Sequence, residues 1–297
     1  MADVVKKPSK LRAVDPKMAE PSKPKILIFG KAGAGKTWMS LEFPSVYFID
    51  TEGGASREQY IAKLKASGGV YLGPEQGSQN FDTVIDEIKT LATEEHPYKT
   101  VVIDSISKLY NNEIFKEADR LGNKDAFGAS KKPATAYTRR LINWIDRINM
   151  NVVIIAHEKV LWTNQEQSGH TFDAWDKLEY ELDLAIQVQK AAGKRVGIVK
   201  KSRLEGLPDG SSFPWSYADF ADRYGREVIE KKGETIALAT PEQIVRLTQL
   251  LNVYKIPEGQ EDKWFTKAKV TGYQEMDSAQ IQAVISYIEN KIKGEQK

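Results

Sequence analysis

Apolar residues along this chain fall into two patterns, short unbroken runs and wider-spaced stripes. The runs are Lys25–Phe29, Val46–Asp50, Thr100–Asp104, Asn151–Ala156, Leu184–Gln189 and Arg195–Lys200. Each has the length of a strand, and a continuous apolar run suits a strand buried on both faces. The stripes at Phe81–Thr93 and Ala134–Asn149 have helical spacing; in the second, Leu141, Ile142, Ile145 and Ile148 share one face. Strands alternating with helices predict an α/β fold with a mostly parallel central sheet covered on both faces. The last two runs follow each other without a helix between them, which predicts an antiparallel end to the sheet.

The two ends of the chain read differently. Residues 1–23 hold prolines and scattered lysines without periodicity, the composition of a disordered, mildly basic arm. The α/β core is placed at 24–232. A small helical C-terminal domain is placed at 233–297. Thr240-Pro241-Glu242-Gln243 is a helix start, with an N-cap, proline at the first position and glutamine in a capping-box place. Ile244, Leu247 and Leu251 then share a face. A second helix from Asp277 groups Ile281, Val284, Ile285 and Ile288, with Trp264 and Phe265 between the two helices. So small a core is marginal, and a flexible join to the rest is expected.

Composition narrows the function classes. The 297 residues, 41% of them hydrophobic, suffice for one large domain and a small one. No window approaches the ~18 apolar residues of a membrane span, and the N-terminus has no apolar signal segment. No membrane partner is therefore expected. With no cysteine there is no disulfide or thiol chemistry, and a cytoplasmic setting is the default. The three histidines lack metal-ligand spacing. A net charge of +2 neither demands nor excludes nucleic acid.

The chemistry begins at Gly30-Lys31-Ala32-Gly33-Ala34-Gly35-Lys36-Thr37, which reads G-x-x-x-x-G-K-T. An apolar strand precedes it and a helix-compatible run from Trp38 to Phe43 follows, the context a phosphate-binding loop needs. Its glycines let backbone N–H groups wrap a phosphate. Lys36 is expected to reach the β- and γ-phosphates and Thr37 to hold Mg²⁺. Gly30 through Thr37, with Trp38 beside them, are the candidate ATP-binding residues. A glycine-rich turn that binds nothing is the alternative. Val101-Val102-Ile103-Asp104-Ser105 is an apolar strand ending in a carboxylate, where phosphate-loop ATPases carry the Mg²⁺-directed aspartate; Asp104 is the second metal candidate.

Tyr47-Phe48-Ile49-Asp50-Thr51-Glu52 is another strand running into acids. The phosphate loop, then F-I-D-x-E, then V-V-I-D-S, in this order, resembles the RecA-like P-loop ATPases over about residues 23–232. The resemblance implies that Glu52 polarises the attacking water, although capping of the strand end by Asp50 and Glu52 would also fit. It implies that His157, ending Val152-Val153-Ile154-Ile155-Ala156, stands where such proteins sense the γ-phosphate. RecA has glutamine there, so sensor and simple polar cap both stay open. It further implies that Lys201 and Arg203, in Lys200-Lys201-Ser202-Arg203, act across a subunit interface on a neighbour's γ-phosphate. Lys200 is a nearby alternative, and a solvated basic strand end is the bland one.

The same resemblance places single-stranded DNA on two loops. The first, 119–132, holds Arg120, Lys124, Phe127, Lys131 and Lys132, with Arg139 and Arg140 following. The second, 158–175, holds Lys159, Trp162, Asn164, Gln165, His170 and Trp175. Cations neutralise phosphates and aromatic rings stack on bases, while Trp162 could equally anchor a core. In compact size the chain is similar to phage Sak-type, RecA-core-only single-strand annealing and recombination proteins. That likeness implies DNA recombination or repair by a phage protein in a bacterial host's cytoplasm. It also implies self-assembly into a filament or ring, and a single-strand binding protein as a possible partner of the C-terminal domain. A hexameric DnaB-like motor and a non-catalytic ATP-gated scaffold are the competing readings.

Overall fold

The computed structural model describes residues 22–125, 128–163, 165–191 and 193–295. The arm up to residue 21, Phe127 and Asn164 lie outside the described residues. The chain runs β1 (Lys25–Gly30), α1 (Lys36–Ser40), β2 (Val46–Asp50), α2 (Glu58–Ser67), β3 (Val70–Leu72), α3 (Phe81–Thr93), β4 (Thr100–Asp104), α4 (Ile106–Leu121) and α5 (Lys131–Arg147). It continues through β5 (Asn151–Thr163), β6 (Glu166–Phe172), α6 (Leu178–Glu181), β7 (Leu184–Ala191), β8 (Lys194–Ser202), β9 (Ser212–Pro214), α7 (Tyr217–Tyr224) and α8 (Arg226–Glu230). Three helices close it: α9 (Pro241–Val253), α10 (Gln260–Ala268) and α11 (Ser278–Glu295).

The sheet order is β3-β2-β4-β5-β1-β7-β8-β9, with β6 paired to β5. Strands β3 to β7 along this path are parallel, while β8 pairs antiparallel with β7 and β9 antiparallel with β8. The unbroken apolar runs have the expected cause. In β1, Leu27 and Phe29 enter one core cluster with α3, α4 and α5; Ile26 and Ile28 enter the other, with Met39, Leu41, Phe43 and Phe220. Both faces are covered, so no position in the strand can be polar without cost.

Two expectations change. The stretch expected as a loop after Ala156 continues as strand and folds back as the antiparallel β5–β6 hairpin. Val160, Leu161, Trp162 and Thr163 are β-branched, aliphatic or aromatic, and favour strand over loop. The first expected loop is α-helix at both of its ends. Arg120 lies in α4, paired with Glu117 at 2.6 Å, and Lys131 and Lys132 open α5.

The C-terminal helices form their own cluster around Leu247, Leu250, Ile281, Ile285 and Ile288. The Thr240 cap and its Gln243 capping box are present. The join makes several contacts with the α/β core. Ile236 N–H donates to the Ala92 carbonyl at 2.7 Å, and Ile236 and Leu238 pack against the first core cluster. Arg147 donates to the Glu275 carbonyl at 2.6 Å, and Lys269 pairs with Asp146. Among the described residues, no helix is long and apolar enough to cross a membrane.

Candidate functional site

Strand β1 ends at Gly30, whose φ is +150°. An added Cβ would lie 2.3 Å from the Val188 carbonyl oxygen of β7, so only glycine fits. The loop then turns back, with Gly35 at φ +94° under Cδ and Nε of Arg195. The indole N–H of Trp215 donates to the Gly35 carbonyl at 3.0 Å and ties the loop to the segment after β9. Lys36 Nζ donates to the Gly30 and Lys31 carbonyls at 2.7 and 3.1 Å, so its ammonium lies within the turn of the loop. Burial pushes the Lys36 pKa below the usual lysine value, and the carboxylates of Asp104, Glu52 and Glu158 oppose that shift.

The parallel register brings the other groups alongside. Gly30 pairs with His157, Asp104 with Ile155, and Asp50 with Asp104. The carboxyl ends of β1, β5, β4 and β2 therefore share one edge. There Thr37 Oγ1 donates to Asp104 Oδ2 at 2.5 Å. Burial raises the Asp104 pKa to about 6, with the Thr37 hydrogen bond acting against it. A buried carboxylate beside a hydroxyl fits Mg²⁺, which keeps waters and substrate oxygens and needs few protein ligands. No group of three or more His, Cys, Asp or Glu side chains suited to another metal occurs among the described residues.

Asp50 and Glu52 divide two tasks between them. The Asp50 carboxylate accepts from the backbone N–H groups of Glu52, Gly53 and Ala55 at 3.0, 3.0 and 2.6 Å, so it caps the turn after β2. Ser78 Oγ donates to the Asp50 carbonyl and Gln79 to that of Thr51, which pins the turn from outside. Glu52 is left to face the cleft. Its Oε1 meets His157 Nε2 at 2.5 Å and accepts from Ser105 Oγ at 2.7 Å. The His157 contact, with Ser105 adding to it and burial opposing, holds the Glu52 carboxyl down at about 2. The same contact raises the His157 pKa above 6.5, again against burial. Lys36, Thr37, Glu52, Asp104 and His157 all line one cleft of about 740 Å³.

Other expected residues lie elsewhere. Lys201 and Arg203 are at the far end of the sheet, because β7 pairs Ala185 with Leu27 of β1, and β8 pairs Lys201 with Ala185. The span from Leu27 to Gly30 is about 10 Å of strand, and Arg203 lies two residues further still. Lys201 donates to the Leu182 carbonyl, and Arg203 donates to that of Tyr180 at 2.6 Å. Neither can serve the phosphate loop of its own chain. Trp162 is 63% exposed on the hairpin, so it anchors no core. Lys159 is paired with Asp176 at 3.2 Å and Asp173 at 4.0 Å.

Residues 22–204 match the profile of a family described as an AAA domain, AAA_24. The chain belongs to the AAA domain family. The crystal structure of the RadB recombinase is similar at 21% identity and a TM-score of 0.45, over 64% of this chain and 86% of RadB. No curated protein matches the chain. The AAA domain accounts for the phosphate loop and makes the chain a nucleotide-binding P-loop protein.

Several working side chains of the AAA domain have little signature in the sequence. Ser105 bonds Glu52 and also N-caps α4, accepting from Lys108 N–H at 3.2 Å. Ser107 Oγ accepts the His157 backbone N–H at 2.8 Å. Glu158 meets His170 Nδ1 at 3.1 Å and accepts from Gln187 at 2.9 Å, which fastens the hairpin base to β7. The serine after the strand-ending aspartate was a usable signal for Ser105. The other contacts join residues 12 to 50 positions apart in sequence, beyond the reach of periodicity.

The Glu52–His157 pair is open to titration. A glutamate held near 2 contributes stability above its unfolded pKa of 4.5 and loses it as pH falls through about 2. A histidine raised above 6.5 contributes below 6.5 and loses it as pH rises through the raised value. The pair's contribution to stability is therefore fully present between about pH 4.5 and 6.5. In an NMR titration, His157 of the wild type should titrate above 6.5, and Glu52→Gln should bring it down. A His157 midpoint indifferent to that substitution would remove the pair.

Proposed function

We propose that this AAA domain protein hydrolyses ATP in an assembly of its own copies, and couples that cycle to binding single-stranded DNA in recombination or annealing. One observation carries the reading. Lys36, Thr37, Asp104, Glu52 and His157 meet in one cleft at the carboxyl edge of the sheet, whereas Lys201 and Arg203 sit at the opposite end. The cleft supplies what phosphoryl transfer to water requires in cis. The distant basic pair supplies charge that only another subunit's nucleotide can use.

The residues divide the work. Loop N–H groups and Lys36 take the β- and γ-phosphates, replacing the carbonyls that Lys36 now holds. Thr37 and Asp104 hold Mg²⁺, which supplies positive charge against the charge developing on the phosphates. Glu52 orients the attacking water. A carboxylate at about 2 is a weak proton acceptor, so its part is orientation until His157 releases it. His157 stands between the cleft and the β5–β6 hairpin, and exchange of its partner from Glu52 to the γ-phosphate would report nucleotide to the hairpin. The same ion pair favours one second reading, an ATP-gated scaffold in which Glu52 stays held and turnover is negligible.

DNA contacts divide by chemistry. The hairpin presents Val160, Leu161 and Trp162 to solvent, but its one lysine is already paired. Phosphates are better met by Lys131, Lys132 and Arg139 of α5, which have no ion pair among the described residues. The Arg139 guanidinium lies 5.2 Å from the Trp175 ring centroid, so α5 adjoins the segment after the hairpin.

Two outcomes follow for solution work. Arg203→Ala and Glu52→Gln proteins, each poorly active alone, should recover part of the ATPase rate when mixed, because some interfaces then combine an intact Glu52 with an intact Arg203. Absence of recovery in mixtures shown to assemble would place the basic pair outside the mechanism.

Trp162→Ala should weaken single-stranded DNA binding by roughly 1–3 kcal/mol, the scale of one stacked base, with the melting temperature and the salt slope unchanged. Lys131→Ala with Lys132→Ala should instead flatten the salt slope. Fluorescence anisotropy across a salt series measures both. A folded Trp162→Ala protein with wild-type affinity would end the stacking role.

A further inference from the structure

A second cleft, of about 530 Å³, opens against the phosphate loop. It shares Gly33, Lys36 and Thr37 with the cleft that holds Glu52 and Asp104. A nucleotide with its γ-phosphate beside Glu52 and its other phosphates along Lys36 and Thr37 would reach that second opening, because both clefts share those residues. What lines it is suited to a flat ring. Trp38, the residue after Thr37, is 45% exposed, an unusual place for an indole unless something covers it. Lys63 Nζ lies 3.9 Å from the Trp38 ring centroid and is itself held by Glu42 at 2.6 Å. One face of the indole is thereby braced and its orientation set before any ligand arrives. Tyr60, Gln59 and Arg195 complete the wall.

We infer that this cleft takes the nucleobase of the bound nucleotide against Trp38, and that it accepts adenine and guanine nearly alike. The inference rests on the nucleotide reading above and adds the base subsite and its selectivity. The selectivity follows from exposure. Strong discrimination between purines needs edge-reading donors or acceptors that are buried, so that the wrong base strands one of them. Here the side-chain groups that could meet a base edge are Gln59 and Arg195, both exposed, and the hydroxyl of Tyr60, which is half-buried rather than enclosed. Water satisfies any of them beside the wrong purine, and a Gln amide or a hydroxyl offers donor and acceptor alike. Stacking on an indole is indifferent to which purine is present.

The test is calorimetry of the full chain with Mg²⁺ and three probes: ATP, GTP and inorganic triphosphate. Wild type should bind ATP and GTP within about five-fold of each other, since one weak edge contact is worth about 1 kcal/mol. Trp38→Ala should weaken both nucleotides by about ten-fold, the scale of one stacked ring, and leave inorganic triphosphate within about two-fold. Trp38→Phe should retain most of the nucleotide affinity. Equal losses for triphosphate and nucleotides in Trp38→Ala would make Trp38 a support of the loop and overturn the inference. So would unchanged nucleotide affinity, or a wild-type preference for one purine of about a hundred-fold. Failure of the wild type to bind any of the three probes would instead defeat the nucleotide reading, and this inference with it.

Discussion

Parallel hydrogen-bonded register among buried strands is the constraint on which the site depends. In the order β2-β4-β5-β1 the strands point one way, so their carboxyl ends share an edge, and the register sets which residues meet there. A slip of one residue would exchange the faces of a strand and carry His157 away from Glu52 and Asp104 away from Thr37. Burial of Ile26 to Phe29, Val101 to Ile103 and Val152 to Ala156 makes such a slip costly, because it would change which side chains pack into each close-packed core cluster. The core therefore holds the chemistry in place.

The same sheet separates two kinds of charge. At one edge lie the loop, the Mg²⁺ candidates and the Glu52–His157 pair. At the other lie Lys201 and Arg203, held by carbonyls of Leu182 and Tyr180. A rigid sheet cannot bring its own two ends together. In the reading proposed here, assembly is a consequence of that geometry, and the nucleotide is where two chains meet.

Much of this was legible in the sequence, and the reasons differ by element. The loop, Asp104 and Glu52 each follow a short apolar run, so a local pattern locates both the strand and the functional end. The α3 helix and the Thr240 cap were legible because caps and amphipathic spacing are local too. The β5–β6 hairpin was not, because its exposed half lacks the buried half's continuous apolarity, although Val160 to Thr163 carried strand propensity. The contacts of the C-terminal join depend on Arg147, Asp146 and Lys269, which meet residues more than a hundred positions away. The task of Asp50 was legible only as one of two options, since a cap and a catalytic carboxylate look alike until the acceptor geometry is known.

Glu52 is where the account is most exposed. In the proposed function it orients the attacking water, and its ion pair with His157 is the feature that would hold turnover off. The decisive measurement is steady-state ATP hydrolysis by wild type and Glu52→Gln with single-stranded DNA, with ATP affinity measured in parallel. A wild-type rate well above background, a fall of about 10²-fold or more in Glu52→Gln, and nearly unchanged ATP binding are expected. Equal rates for the two proteins, with both binding ATP, would contradict this role of Glu52.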